Sequence, residues 1–267
     1  MNRELRGACL RAGSAEGFRE LHHVPSLSDS HAVMHVVVTH VMRSSMFPSS
    51  SPSGSVTIPT DATFWMPKPE DIDLDGIGAF FHDTWLIKDV PVGEARRLRA
   101  KERGVAEVVG RLATTAEDFD RLARAVEDGY DPDAPDGGHG LSAVERAELD
   151  GFLSEAEALG SLELGVAGLV YALATVRIIP AASCRGHPGK RAWSDLPVVL
   201  FATTEYRAKA LQPLVEATEC RFGIDAARPD LLAVMGRSIL DTMALADAVL
   251  ATRHTFVRSR KSRSRDA

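Results

Sequence analysis

Residues 183–188 read Ser-Cys-Arg-Gly-His-Pro, so a thiol, a guanidinium and an imidazole fall within four consecutive positions, Cys184 to His187. The stretch is entered from the mainly apolar run Val176 to Ala182 and reads as a strand that stops at a glycine-containing turn. Cys184 and His187 stand three residues apart, a spacing that a tight turn can close into contact. Cationic neighbours favour the thiolate, the form that acts as nucleophile and as metal ligand. Gly186 permits a left-handed backbone or close approach of a substrate.

Three chemistries stay open for this turn. Cys184 can be a nucleophile with His187 as its base and Arg185 holding an anion. Cys184 and His187 can be half of a metal site completed by Asp225 or His254. Alternatively Cys184 is a small buried residue at a strand end, and Arg185 and His187 satisfy backbone carbonyls. The connection from Cys184 to Leu196 is long for a hairpin, a feature of functional loops. We assign catalysis to Cys184 and His187 and ligand binding to Arg185, Trp193, Asp225 and Arg237, with no residue assigned to a metal. Arg237 leaves a strand just before a helix N-terminus, where backbone amides favour anions. Together Arg185 and Arg237 would hold a phosphate or carboxylate; the bland reading pairs Arg237 with Asp241 or Asp225. No cofactor is specified by these residues.

The elements that must position the turn follow from periodicity. Leu162 to Val176 is apolar nearly all round and reads as a buried central helix, with Gly165 and Gly168 allowing close backbone approach. Strands are expected at 178–183, where Pro180 signals an edge or a bulge, and at 197–202, 220–225 and 231–235. Helices are expected at 206–218, containing Pro213, and from 238, where Ser238 and Asp241 form a capping-box pattern. Cys220 alternates inward with Phe222 and reads as core. The order is α-β-β-α-β-β-α, a mostly antiparallel sheet in an α+β domain over 161–253. Upstream, 67–160 is an acidic helical region, with helices over 92–112, 116–126 and 142–159, the last opened by a Ser142/Glu145 capping box. Residues 1–66 read as a largely disordered extension with a serine-rich linker, upstream of a chain whose natural start would be Met66. Residues 254–267 read as a basic disordered tail. The histidines at 22, 23, 31, 35 and 40 and the aspartates at 131, 133 and 136 lack the supporting spacing of zinc or calcium sites.

Composition limits the partners. The 267 residues carry a formal charge of −6, and 67–160 holds 22 acidic against 11 basic residues. That middle repels phosphate, so nucleic acid is not the expected partner except through the basic tail. The three cysteines form no disulfide framework and fit a reducing, cytoplasmic setting. No run reaches about 18 apolar residues, so no membrane span is expected. The expected partner is a small anionic ligand or nucleotide, processed or bound at the Cys/Arg/His turn. The alternative is a non-enzymatic interaction or regulatory module that works through the acidic helices, with Cys184 structural.

The run Ser183 to Pro188, followed by Trp193 and an apolar strand, resembles a loose set of bacterial and phage proteins with a Ser-Cys-x-Gly-His signature, a resemblance that implies no particular activity. It is more distantly similar to the wybutosine-synthesis methyltransferase family, which carries Ser-Cys-Ser-Gly-Arg after a strand in an α/β domain. Arg185 stands at the second serine and His187 at the arginine of that signature. The similarity would imply transfer RNA and a methyl donor; the chain has no glycine-rich methyl-donor loop of the Rossmann type and no Walker sequence.

Overall fold

The structure, a computed structural model, describes residues 54–68, 86–129, 140–153, 159–187, 194–225 and 228–256. Three helices precede the sheet: α1 (Val92–Leu112), α2 (Ala116–Asp128) and α3 (Ala143–Leu153). They are followed by α4 (Ala167–Thr175), β1 (Ile179–Cys184), β2 (Val198–Ala202), α5 (Glu205–Ala217), β3 (Arg221–Asp225), β4 (Arg228–Met235) and α6 (Ile239–Thr252), then a 3-10 turn at Arg253–Phe256. The α-β-β-α-β-β-α order from α4 onward and the α+β class are therefore as expected. All strand pairs are antiparallel, in the order β1-β2-β4-β3.

Helix α1 buries Ala95, Arg99, Glu102, Val105, Ala106 and Val109, a stripe with helical spacing that includes two charges. Helix α2 starts where the Thr115 side chain accepts from the Asp118 N–H at 3.1 Å. It turns Phe119, Leu122, Ala123 and Val126 inward. At the start of α3 the capping box is present: Ser142 N donates to Glu145 at 2.7 Å, and Glu145 N donates to Ser142 Oγ at 3.3 Å. The same glutamate pairs with Arg121 across to α2 at 2.6 Å. That hydrogen bond, working against partial burial and helped by Ser142, lowers Glu145 from its ordinary value to about 2. A depressed carboxylate stabilises the fold above its unfolded pKa and loses that contribution as pH falls through the folded value. Glu145→Gln should therefore be less stable than the parent at pH 6, by about 1 kcal/mol or less for so solvent-screened a pair. The gap should close between about pH 5 and pH 2. Urea midpoints across that range check it; a gap independent of pH would contradict it.

Helix α4 is shorter than the apolar run that contains it. Gly165, at φ +90°, cannot continue a helix, and an added Cβ there would lie 2.3 Å from Ile239. The burial is as expected: Leu162, Leu164, Val166, Leu169, Val170 and Leu173 are all enclosed. Pro180 lies on the edge strand beside a register shift, as its missing N–H requires. Pro213 falls inside α5. The Ser238/Asp241 capping box does not form: the Ser238 side chain caps nothing, and the Asp241 carboxylate turns to Arg237 instead.

The helices 92–153 and the sheet share one apolar core, to which the sheet contributes Val199, Phe201, Phe222, Leu232 and Val234. The opposite face carries Val198, Leu200, Ala202, Leu231 and Ala233, with Trp65 packed on it. Residues 54–66 thus correct part of the reading of 1–66 as disordered. Ile58 and Phe64 pack on the core, Ser55 bridges to Phe222, and Trp65 Nε1 donates to Asp230 O at 2.7 Å. Burial of these apolar groups outweighs the serine-rich composition that precedes them. Residues 1–53, the tail from 257, and the loop aspartates at 131, 133 and 136 lie outside the described residues. No described helix is long and apolar enough to cross a membrane.

Candidate functional site

The site forms where α2 passes the end of β1. Asp120 and Glu127 stand seven residues apart on α2, two helical turns, and so share a face. Strand β1 ends at Cys184, opposite Val198, and the chain then turns. Gly186 takes φ +82°, and an added Cβ would lie 2.7 Å from the Leu196 backbone, so only glycine fits between Arg185 and His187. The turn is held by His187 N donating to Ser194 O at 3.1 Å and by Gly186 N donating to Cys184 Sγ at 3.4 Å. A third segment arrives before α4. Gly160 and Ser161, both left-handed, turn the chain, Leu164 N donates to Glu127 at 2.7 Å, and Glu163 is thereby directed at the end of β1.

Arg185 is buried, with 1% of its side chain exposed. Its Nε and Nη2 donate to the two oxygens of Glu127 at 2.9 and 3.1 Å, and its Nη1 donates to Asp120 at 3.0 Å. Burial opposes its charge, but Glu127, Asp120 and Glu163 outweigh that and raise its pKa. His187 lies between two carboxylates: Nδ1 is 2.9 Å from Asp120 and Nε2 is 2.9 Å from Glu163. Its hydrogen bonds to Asp120, Cys184 and Glu163 raise it to about 11. Burial works against the Asp120 charge, yet His187 and Arg185 overcome it and hold Asp120 at about 2. Glu163 is likewise lowered: burial opposes its charge, but His187 and the backbone N–H of Arg185 outweigh it. One ligand atom each from Glu163, Cys184 and His187 lie within 4.8 Å of one another.

The expected residues are distributed as follows. Cys184 and His187 come together. Arg185 adjoins them, but its guanidinium is committed to Glu127 and Asp120 rather than offered to an external anion. Register places Arg237 at the same end of the sheet, because Cys184 opposes Val198 and Val198 opposes Met235. Two strand spacings, about 10 Å, separate Cys184 from Met235, two residues before Arg237. Arg237 takes the bland alternative and pairs with Asp241 and Glu219. Asp225 lies at the far end of β3, since it is Arg221 that opposes Met235. His254 sits in the terminal 3-10 turn, beside the α5 start through Tyr206 Oη donating to Thr255 O, again away from Cys184. Neither completes a metal site with Cys184; the third donor among the described residues is Glu163. Trp193 lies outside the described residues. Cys220 is fully buried, as expected, and burial pushes its thiol up to about 12.

Sequence reasoning missed Asp120, Glu127 and Glu163. One signal was present: Glu163 is the sole charged residue in the apolar run 162–176. Asp120 and Glu127 had none, because carboxylates on an amphipathic helix read as solvated surface. Compared with protein-family models, with curated proteins and with solved structures, the chain matches none.

Proposed function

We propose that the chain binds a divalent transition metal of the zinc class through Cys184 Sγ, His187 Nε2 and the Glu163 carboxylate. The observation that carries this reading is the convergence of one sulfur, one nitrogen and one oxygen donor within 4.8 Å. Thiolate and imidazole donors favour zinc-class ions over magnesium or calcium. Asp120 on Nδ1 supplies the carboxylate that orients a ligating histidine and presents its other nitrogen. The Arg185 N–H on the second Glu163 oxygen fixes that carboxylate. Three carboxylates, Asp120, Glu127 and Glu163, outnumber the Arg185 guanidinium and the His187 imidazolium, and a bound cation would take the place of the imidazolium proton. Three protein ligands leave one tetrahedral position for water or a substrate atom, the arrangement of reactive rather than purely structural zinc sites.

Cobalt titration of the metal-stripped chain tests this. A saturable one-to-one spectrum with a thiolate-to-cobalt charge-transfer band should appear. The band should vanish in Cys184→Ser, and affinity should fall about 10- to 100-fold in Asp120→Asn. No binding above that of Cys184→Ser would end the metal reading. A second reading is favoured by the closeness of the His187 ring to Cys184, whose Sγ lies within 4.8 Å of a ring nitrogen. In it Cys184 is a nucleophile paired with the imidazolium. Alkylation of the metal-stripped chain, followed by peptide mass, separates the two. Rapid Cys184 labelling at pH 6 with no cobalt band supports the nucleophile, whereas labelling as slow as that of buried Cys220 removes it.

A further inference from the structure

A second feature lies between α1 and α6 and shares no residue with the Cys184 centre. Arg96, Arg99, Ala100 and Arg103 face Asp247 and Leu250 across a cleft of about 280 Å³. The three arginines recur at i, i+3 and i+7 and form one stripe of α1. Arg99 is the buried anchor, with 6% of its side chain exposed. Its Nε donates to Met243 O at 3.2 Å, its Nη2 donates to Asp247 at 2.9 Å, and its Nη1 is buried with no hydrogen-bond partner, 3.7 Å from Glu102. Arg103 Nη2 meets the same Asp247 oxygen at 2.9 Å and leaves 42% of its side chain exposed. Arg96 is exposed and has no ion-pair partner among the described residues. Three guanidinia thus line a cleft with a single facing carboxylate, in a chain whose overall charge is −6.

We infer that this cleft binds the phosphate group of a small phosphorylated molecule. Guanidinium forks match phosphate oxygens two at a time, a geometry lysine does not offer. Arg96 and Arg103 hold the free donors, and Arg99 adds fixed charge at the base. Ala100 and Leu250 form the apolar wall against which the uncharged part of the ligand lies. The anion expected from the sequence at Arg185 and Arg237 is placed here instead, because those two arginines are committed to internal carboxylates. The inference goes beyond the metal reading and does not depend on it.

Calorimetric titration of the full chain with inorganic pyrophosphate, at ionic strength held constant with sodium chloride, is the test. Saturable one-to-one binding is expected. Arg96→Ala/Arg103→Ala should weaken it about tenfold or more, with circular dichroism and urea midpoint little changed, since both side chains reach solvent. Arg96→Glu should abolish it, whereas Arg97→Glu, the same charge change on a neighbouring exposed residue that does not line the cleft, should leave it nearly intact. Heat no greater than the salt control, unchanged binding in the double variant, or equal loss from Arg96→Glu and Arg97→Glu would each overturn the inference. Cobalt binding at Cys184 should be unaffected in Arg96→Ala/Arg103→Ala, which keeps the two sites distinguishable.

Discussion

Replacing Arg185 with alanine is expected to lower the unfolding free energy by about 3–5 kcal/mol, the usual consequence of removing one partner from a buried ion pair. The cause is less the lost attraction than what remains. Glu127 and Asp120 would face each other across a cavity, with Glu163 close by and no guanidinium between them. Arg185→Lys should recover only part of the loss, because one ammonium cannot reproduce the two-oxygen contact with Glu127 and also reach Asp120. Arg185→Met with Glu127→Gln should cost less than the sum of the separate changes, since each removes the other's unpaired charge. Urea denaturation of the metal-stripped chain measures all of these. A loss below about 1 kcal/mol for the alanine variant would mean that the network is not the support for β1 and α2 that its geometry describes. The experiment also separates two roles. An arginine that receives an external anion loses ligand affinity on replacement and leaves stability nearly intact.

Gly168→Ala is expected to destabilise the fold by about 1–3 kcal/mol, the range for overpacking a filled core. Within a helix this substitution ordinarily helps by up to about 1 kcal/mol, because alanine loses less backbone entropy. The sign reverses at position 168 because the new Cβ would stand 2.3 Å from Glu102 Oε2 and 2.6 Å from Arg99 Cδ. Glu102 cannot move aside cheaply. It is fully buried, and its other oxygen accepts from Gly165 N at 3.0 Å and Gly168 N at 3.1 Å, serving the amides at the start of α4. Gly151→Ala is the internal control: it sits in α3 with nothing within 4 Å of the added Cβ and should be neutral or stabilising. Urea midpoints that move in opposite directions support this account. A parallel shift of both would show that the crowding around Glu102 relaxes freely.

Most of the secondary structure was determined by local sequence. The helix over 92–112, the buried character of 162–176 and the two hairpins around α5 follow from apolar spacing, and the edge position of β1 from Pro180. These are effects of a few neighbouring residues on backbone dihedrals and on one face of an element. The Cys184–His187 turn was legible for the same reason, since both side chains and the glycine that turns them lie within four positions. What surrounds the turn was decided by tertiary structure alone. His187 meets Asp120 across 67 positions and Glu163 across 24, and Arg185 meets Glu127 across 58. Such contacts depend on which helix passes the end of the sheet, and the shared burial of α2, α4 and β1 sets that rather than any spacing along the chain. Sheet register made the remaining choices. It brought Arg237 to the Cys184 end and sent Asp225 to the other, and the carboxylates nearest each arginine then took the donors that composition alone had left for a ligand.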